Sequence, residues 1–183
     1  MIAVAKRLIN REEYYKMAEV GILKPEDRVE LINGEIIEMS PIGSKHAASI
    51  HRLIRVLRKN LADEFEIRTQ SPIFIDGHSE PEPDITIVEF REDDYAMSHP
   101  SIQEVKLIVE VSDSSLDYDQ TTKAELYAHA GIAEYWVFDI NQRVILIHCS
   151  PSPSGYDKIN RLDKSDAVDF FGSSINIEEL FVL

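Results

Sequence analysis

Two kinds of apolar pattern alternate along this chain, and together they predict its layout. Between Ser44 and about Asn60, residues Ile50, Leu53, Ile54, Leu57 and Leu61 stand at i, i+3, i+4, i+7 and i+11. That is the spacing of one buried stripe on a long helix, with Ser44 expected as its cap. Lys45, Arg52 and Lys59 repeat every seven residues and face elsewhere. A shorter helix is expected from Asn10 to about Val20. Asn10 with Glu13 three residues on is a capping-box signal, and Gly21 stops the run. A third helix is expected over Asp119–Ala130, with Asp119 as cap and Gly131 just past its end.

The other pattern is extended. Arg28 to Met39 sets Asn33-Gly34 between two apolar-rich runs, a hairpin signal. Phe65 to Ile75 alternates loosely. Asp84 to Glu89 reads as a strand entered through Pro81-Glu82-Pro83, and Arg91 to Glu104 as a loop. Val105 to Val111 is β-branched and almost wholly apolar, as in a central strand. Glu134 to Ile140 is another buried strand, turned by Asn141-Gln142 into Arg143–Cys149. A loop is expected over Pro151–Gly155, then short strands, with Ile177–Leu183 an apolar end that must dock. There is no internal repeat. This order predicts a mixed sheet flanked by helices, in the α/β (α+β) class, and Val105–Ile140 suits a crossover unit.

The chain has the length of one domain, 183 residues, and can bury a core without staples. Cys149 is its one cysteine, so no intramolecular disulfide forms, and a free thiol fits a reducing compartment. The first ten residues lack the pattern of a signal peptide, and no run is long enough to span a membrane. The expected location is the cytoplasm. Net charge is -14, with a pI near 4.8, the opposite of a phosphate-gripping surface. Positive charge is local instead. Met39 to Ala62 has no Asp or Glu and five cations: Lys45, Arg52, Arg55, Arg58 and Lys59. These either contact nucleic acid or form a solvated helix face.

Position singles out three residues. Asp84 begins a strand after proline. Glu110 ends an otherwise apolar strand, where a charge costs energy unless paired or metal-bound. Lys123 lies one turn into the next helix. Were the two strands neighbours, both carboxylates would converge at one edge, and the helix could return Lys123 there. Two hard oxygen ligands plus waters suit Mg²⁺, and a lysine beside them can hold or help deprotonate the attacking water and stabilise an oxyanion. The bland alternatives are a turn cap, an ion pair at a strand end and an exposed helix lysine.

The runs Glu80-Pro-Glu-Pro-Asp84, Val109-Glu-Val-Ser112, Asp119-Gln-Thr-Thr-Lys123, Tyr127, Gly131 and Glu134-Tyr-Trp-Val-Phe-Asp139 together resemble a bacterial endonuclease family of the PD-(D/E)XK, restriction-endonuclease-like superfamily. Val29–Glu35 and Ser40–His46 resemble it too, so the similarity spans about Arg28 to Ile147. The resemblance implies one nuclease-like domain over residues 1–183 with its core at about 28–149. It implies that Asp84 and Glu110, with the carbonyl of Val111, bind Mg²⁺ or Mn²⁺. The superfamily lysine usually stands two residues after the acid, where this chain has Ser112. The resemblance transfers that role to Lys123, places Glu30, His46 and Ser112 beside the centre, and implies a homodimer acting on DNA. Glu30 could equally be an exposed hairpin residue and His46 an ordinary first-turn residue. Lys45, Arg52, Arg55 and Lys59 are the expected nucleic-acid contacts. Trp136 is expected in the core.

Three functions fit. The first is a metal-dependent endonuclease hydrolysing DNA phosphodiester bonds. The second is a catalytically inactive binding module on the same fold, favoured by the acidic charge and the displaced lysine. The third is a metal-dependent hydrolase of a small phosphoester.

Overall fold

The computed structural model describes residues 5–24 and 26–182. Helix α1 (Arg11–Glu19) leads into a hairpin of β1 (Val29–Ile32) and β2 (Glu35–Glu38), then helix α2 (Ser44–Asn60). Strands β3 (Phe65–Thr69), β4 (Ile85–Glu89) and β5 (Val105–Ser112) follow. One helical segment then runs through α3 (Leu116–Tyr118), a π-helical turn (Asp119–Lys123) and α4 (Ala124–His129). Strands β6 (Glu134–Asp139), β7 (Val144–Ser152) and β8 (Gly155–Leu162) come next. A second hairpin, β9 (Ala167–Phe170) and β10 (Ser173–Asn176), and helix α5 (Ile177–Leu180) close the described chain.

Strands β3 to β8 lie in sequence order in one six-stranded mixed sheet. Every pairing is antiparallel except β5 with β6, the two strands joined by the helical crossover. Alternation along these strands sends their side chains to two different layers. Ile85, Ile87, Val109, Val111, Trp136 and Phe138 pack with Leu53 and Leu57 of α2 and with Val168, Ile175 and Leu180 of the closing segment. Ile108, Tyr135 and Val137 face the other way, against Leu126 and Tyr127 of α4 and Ile32 of the first hairpin. Trp136 is completely buried. Among the described residues no helix is long and apolar enough to cross a membrane.

The local signals account for most element ends. Asn10 and Glu13 form the full capping box, the Asn10 side chain accepting from the Glu13 N–H and the Glu13 carboxylate from the Asn10 N–H. Asn33 and Gly34 both adopt positive φ, 51° and 76°, as a type I′ turn demands. Four expectations need correction. Gly43, not Ser44, is the N-cap residue of α2, with no side-chain cap bond. The strand from Phe65 stops at Thr69, and the run to Ile75 lies outside the sheet apart from an isolated bridge at Phe74. The crossover helix starts at Leu116, so Asp119 is inside it rather than its cap. The expected loop at 151–155 is mostly strand: β7 continues to Ser152 and β8 pairs with it, Pro151 opposite Tyr156. The apolar end docks as expected through Ile177, Leu180 and Phe181, all buried. Of the terminal segments read from sequence, residues 1–4 and 183 lie outside the described residues.

Candidate active site

Strand register brings the two acids together. Ile85 pairs with Val109 in the antiparallel β4–β5 ladder, so Asp84, one residue before β4, falls opposite Glu110. The Asp84 N–H donates to Glu110 Oε2 at 3.3 Å. Asp84 Oδ2 accepts from the Val111 N–H at 2.9 Å and is 2.9 Å from His46 Nε2. Its other oxygen, Oδ1, has no hydrogen-bond partner among the described residues. Glu110 points to the α4 side of the sheet, as Ile108 does, because the two are separated by one residue.

The crossover helix supplies the cation. Lys123 Nζ donates to Glu110 Oε1 at 2.9 Å and stands 3.2 Å from Glu30 Oε1. The Tyr127 hydroxyl donates to the same Glu110 oxygen at 3.1 Å. The helix widens here into a π turn, and the cause is a contact from β6. The Asp119 carbonyl accepts from the Ala124 N–H five residues on and also from the Tyr135 hydroxyl of β6, 3.0 Å away. A side chain inserted into the helical ladder in this way breaks its regular spacing. Asp119 and Lys123 both come out buried on the site side of the turn.

Two further elements close the centre. Glu30, on β1, is buried, and its Oε2 accepts from the Glu82 N–H at 3.0 Å. Its reading as an exposed hairpin residue is therefore overturned: the hairpin lies against the sheet, and the face carrying Glu30 is covered. His46 falls in line with Ile50, Leu53 and Leu57, so the buried stripe of α2 extends one turn toward its N-terminus and delivers the ring to Asp84. Together these residues line a cavity of about 440 Å³ whose outer wall is the Glu38–Gly43 loop.

Burial dominates the electrostatics. It pushes the Glu110 carboxyl up to about 8 despite Lys123, with Asp84, Asp119 and Glu30 adding repulsion. Burial works against the Lys123 charge too, but Glu110 and Glu30 outweigh it and hold the ammonium above its ordinary range. Asp119 is raised by burial, although hydroxyls of Ser112 and Ser115 donate to its Oδ2 at 2.7 and 2.6 Å. His46 is raised chiefly by its hydrogen bond to Asp84. Lys123 and His46 thus face a surplus of carboxylates: Glu30, Glu82, Asp84, Glu110 and Asp119.

A divalent cation suits that surplus and the hard oxygens that carry it. Among the described residues no three His, Cys, Asp or Glu side chains are arranged to hold a metal by themselves. Two carboxylates completed by backbone, water and substrate oxygens is the arrangement Mg²⁺ usually accepts. The N–H and carbonyl of one strand residue leave on the same side. The Val111 carbonyl therefore shares the Asp84 side with its N–H.

Asp84, Glu110, Val111, Lys123, Glu30, His46 and Ser112 are all brought together, Ser112 through its bond to Asp119 rather than in the place of a lysine. Lys45, Arg52, Arg55 and Lys59 do not line the cavity. At about 100° per residue they lie roughly 100–180° around α2 from His46. Arg52 Nε instead donates to the Glu179 carbonyl at 2.6 Å, tying α2 to α5. Sequence reasoning missed Asp119, Glu82 and the Tyr127 hydroxyl as site groups. The signal for Asp119 was a pair of serines, Ser112 and Ser115, spaced to reach it.

Comparison with known proteins agrees with this architecture. A crystal structure of a putative nuclease belonging to DUF820 from Anabaena variabilis superposes with a TM-score of 0.73, covering 94% of this chain and 97% of that one, at 18% identity. That likeness is one of fold. No curated protein matches. Residues 11–177 match the family model described as "Uma2: Putative restriction endonuclease", and with nearly the whole chain inside that match, the protein belongs to the Uma2 family, whose description is that of a nuclease.

Proposed function

We propose that this protein is a metal-dependent endonuclease that hydrolyses DNA phosphodiester bonds, with Asp84 and Glu110 carrying Mg²⁺ or Mn²⁺ and Lys123 beside the reacting phosphate. The observation that carries the reading is the meeting of these three groups in one cavity, with Lys123 Nζ 2.9 Å from Glu110 and the Asp84 amide on the opposite oxygen. The metal, when bound by Asp84, Glu110 and the Val111 carbonyl, supplies Lewis-acid polarisation of the phosphoryl oxygen and a more acidic water. Glu110 and Glu30 favour the charged form of Lys123, which suits it to donating rather than accepting a proton. It can donate to the attacking water or to a phosphoryl oxygen and offset charge as the pentavalent species forms. Tyr127 and Lys123 both hold Glu110 Oε1, which orients Oε2 toward Asp84. His46 holds Asp84 Oδ2 and leaves Oδ1 to the ligand. As the water oxygen bonds to phosphorus, the 3′ or 5′ oxygen leaves with the electron pair of the broken phosphorus–oxygen bond, and the proton lost by the water passes through solvent to the leaving oxygen.

Supercoiled plasmid incubated with the purified protein and Mn²⁺ or Mg²⁺ is expected to be nicked or linearised, and EDTA to stop it. Asp84→Asn should reduce the rate at least a hundredfold, in line with loss of a principal electrostatic group, while the fold survives. Cleavage by Asp84→Asn at the wild-type rate would end the proposal. A homodimer with both centres engaged would yield linear product early, whereas a monomer would accumulate nicked circles first.

One observation favours a second reading. The net charge is -14 and the cations of α2 are turned from the cavity. A small phosphodiester or nucleotide needs no extended basic track, so turnover of such a substrate in preference to DNA would move the protein to that class. Metal binding with no turnover of either would identify an inactive binding module.

A further inference from the structure

We propose that Arg28 binds a substrate phosphate at the mouth of the cavity, an inference that rests on the nuclease reading above. Three cationic or potentially cationic side chains line the cavity: Arg28, His46 and Lys123. Two are already engaged within it. Lys123 lies between Glu30 and Glu110, and His46 on Asp84. Arg28 differs. Its half-buried guanidinium makes one side-chain hydrogen bond among the described residues, from Nη1 to the Ser40 carbonyl at 3.2 Å, and no ion pair. A guanidinium carries five N–H donors in a planar fork matched to phosphate oxygens, so most of this fork stays available to a ligand.

The position is a built one. The Arg28 carbonyl accepts from the Met39 N–H at 2.8 Å, just ahead of the Val29–Glu38 pairing of the hairpin. The base of the side chain is therefore clamped to the sheet-covering hairpin, and its tip to the loop that forms the outer wall. From there its positive charge acts on both Glu82 and His46, which also line the cavity. Seven carboxylates line the same cavity. A phosphodiester approaching it is repelled unless a cation stands at the entrance, and Arg28 is the group placed to receive it. An arginine there also selects for substrates with a phosphate next to the scissile one, since its reach ends at the rim while Lys123 sits deep.

The test uses the full-length protein, Mn²⁺ and a duplex oligonucleotide, with steady-state cleavage at several salt concentrations. Binding of the same duplex in Ca²⁺ is read by fluorescence anisotropy. Arg28→Met is expected to raise KM and weaken the Ca²⁺-supported binding about tenfold or more, the range for a lost charge-assisted hydrogen bond, with kcat changed less. The slope of log affinity on log salt should fall by about one, as for one phosphate contact. Arg28→Lys should recover part of the affinity. Both variants should melt close to the parent, since the one hydrogen bond lost to Ser40 is exposed, and Mn²⁺ affinity should not fall, because removing a cation from beside carboxylates does not weaken their hold on a metal. Unchanged KM and salt slope in Arg28→Met, with the parent cleaving DNA normally, overturns the inference alone. So does a loss that simply follows a fall in melting temperature and is fully shared by Arg28→Lys. A parent protein that cleaves no DNA removes the nuclease reading, and this inference with it.

Discussion

The two faces of the six-stranded sheet share the same strands and differ in what those strands bury. On the α2 side the alternating positions are Ile85, Ile87, Leu107, Val109, Val111, Trp136 and Phe138, all apolar apart from the indole N–H. On the α4 side the intervening positions include Thr86, Glu110, Ser112, Asp139 and His148, all buried as well. One face is therefore a conventional core. The other is mixed: Val88, Ile108, Tyr135 and Val137 are apolar core there too, and the polar groups set among them had to be desolvated, at a cost that only specific partners offset. Strand alternation lets a single sheet carry both, so the chemistry sits on a rigid support without diluting the core that holds it.

The comparison is broken most severely at Lys123. Lys123→Met leaves Glu30 and Glu110 in one buried space without their cation, and should cost about 3–5 kcal/mol at pH 8. The cost should shrink at pH 5.5, where Glu110 takes up a proton. Urea unfolding at the two pH values measures it, and a small, pH-independent loss would mean that the polar layer behaves like ordinary core. Leu57→Ala, on the dry face and completely buried, is the matching probe. It should cost about 2–5 kcal/mol and do so equally at both pH values, since no titrating group touches the cavity it leaves.

A gentler probe is the unmodified protein without metal. The folded-state pKa of Glu110 is raised to about 8 from an ordinary 4.5. Between those values the folded chain holds a proton that the unfolded chain releases, so this group's contribution is full below about pH 4.5 and is lost as pH rises toward about 8. Melting temperature without metal should thus fall across that window. Added Mn²⁺ should raise it more at pH 8 than at pH 5.5, because the metal displaces the proton. Equal Mn²⁺ shifts at both values would place the metal away from Glu110.

Much of this was legible in the chain. Asn33-Gly34 fixed the hairpin because a two-residue turn needs positive φ and few residues tolerate it. The position of Glu110 in an apolar strand marked it because charge there is costly. Topology allowed Asp84, Glu110 and Lys123 to meet at one edge if the two strands were neighbours, and the family resemblance is what assigned them to one centre. What escaped was set by contacts between distant segments. The π turn depends on the Tyr135 hydroxyl reaching the Asp119 carbonyl, which no local propensity encodes. Burial of Glu30 depends on where the hairpin docks. Strands after 155 were foreseen, but the run of β7 through Pro151 to Ser152 was not, because Pro151 is a poor omen for a strand even where pairing accommodates it.

Three of the contacts that build the centre are long in sequence. His46 reaches Asp84 across 38 residues, Glu30 reaches Glu82 across 52, and Asp84 reaches Glu110 across 26. Closing loops of that size comes late and together, since each closure is costly until neighbouring ones are made. A nascent chain or a proteolytic fragment ending before the crossover helix carries Glu30, His46, Asp84 and Glu110 but lacks Lys123 and Tyr127, the two groups that hold Glu110 Oε1. On the nuclease reading, the acids come first along the chain and the lysine last, so cleavage waits on the crossover helix.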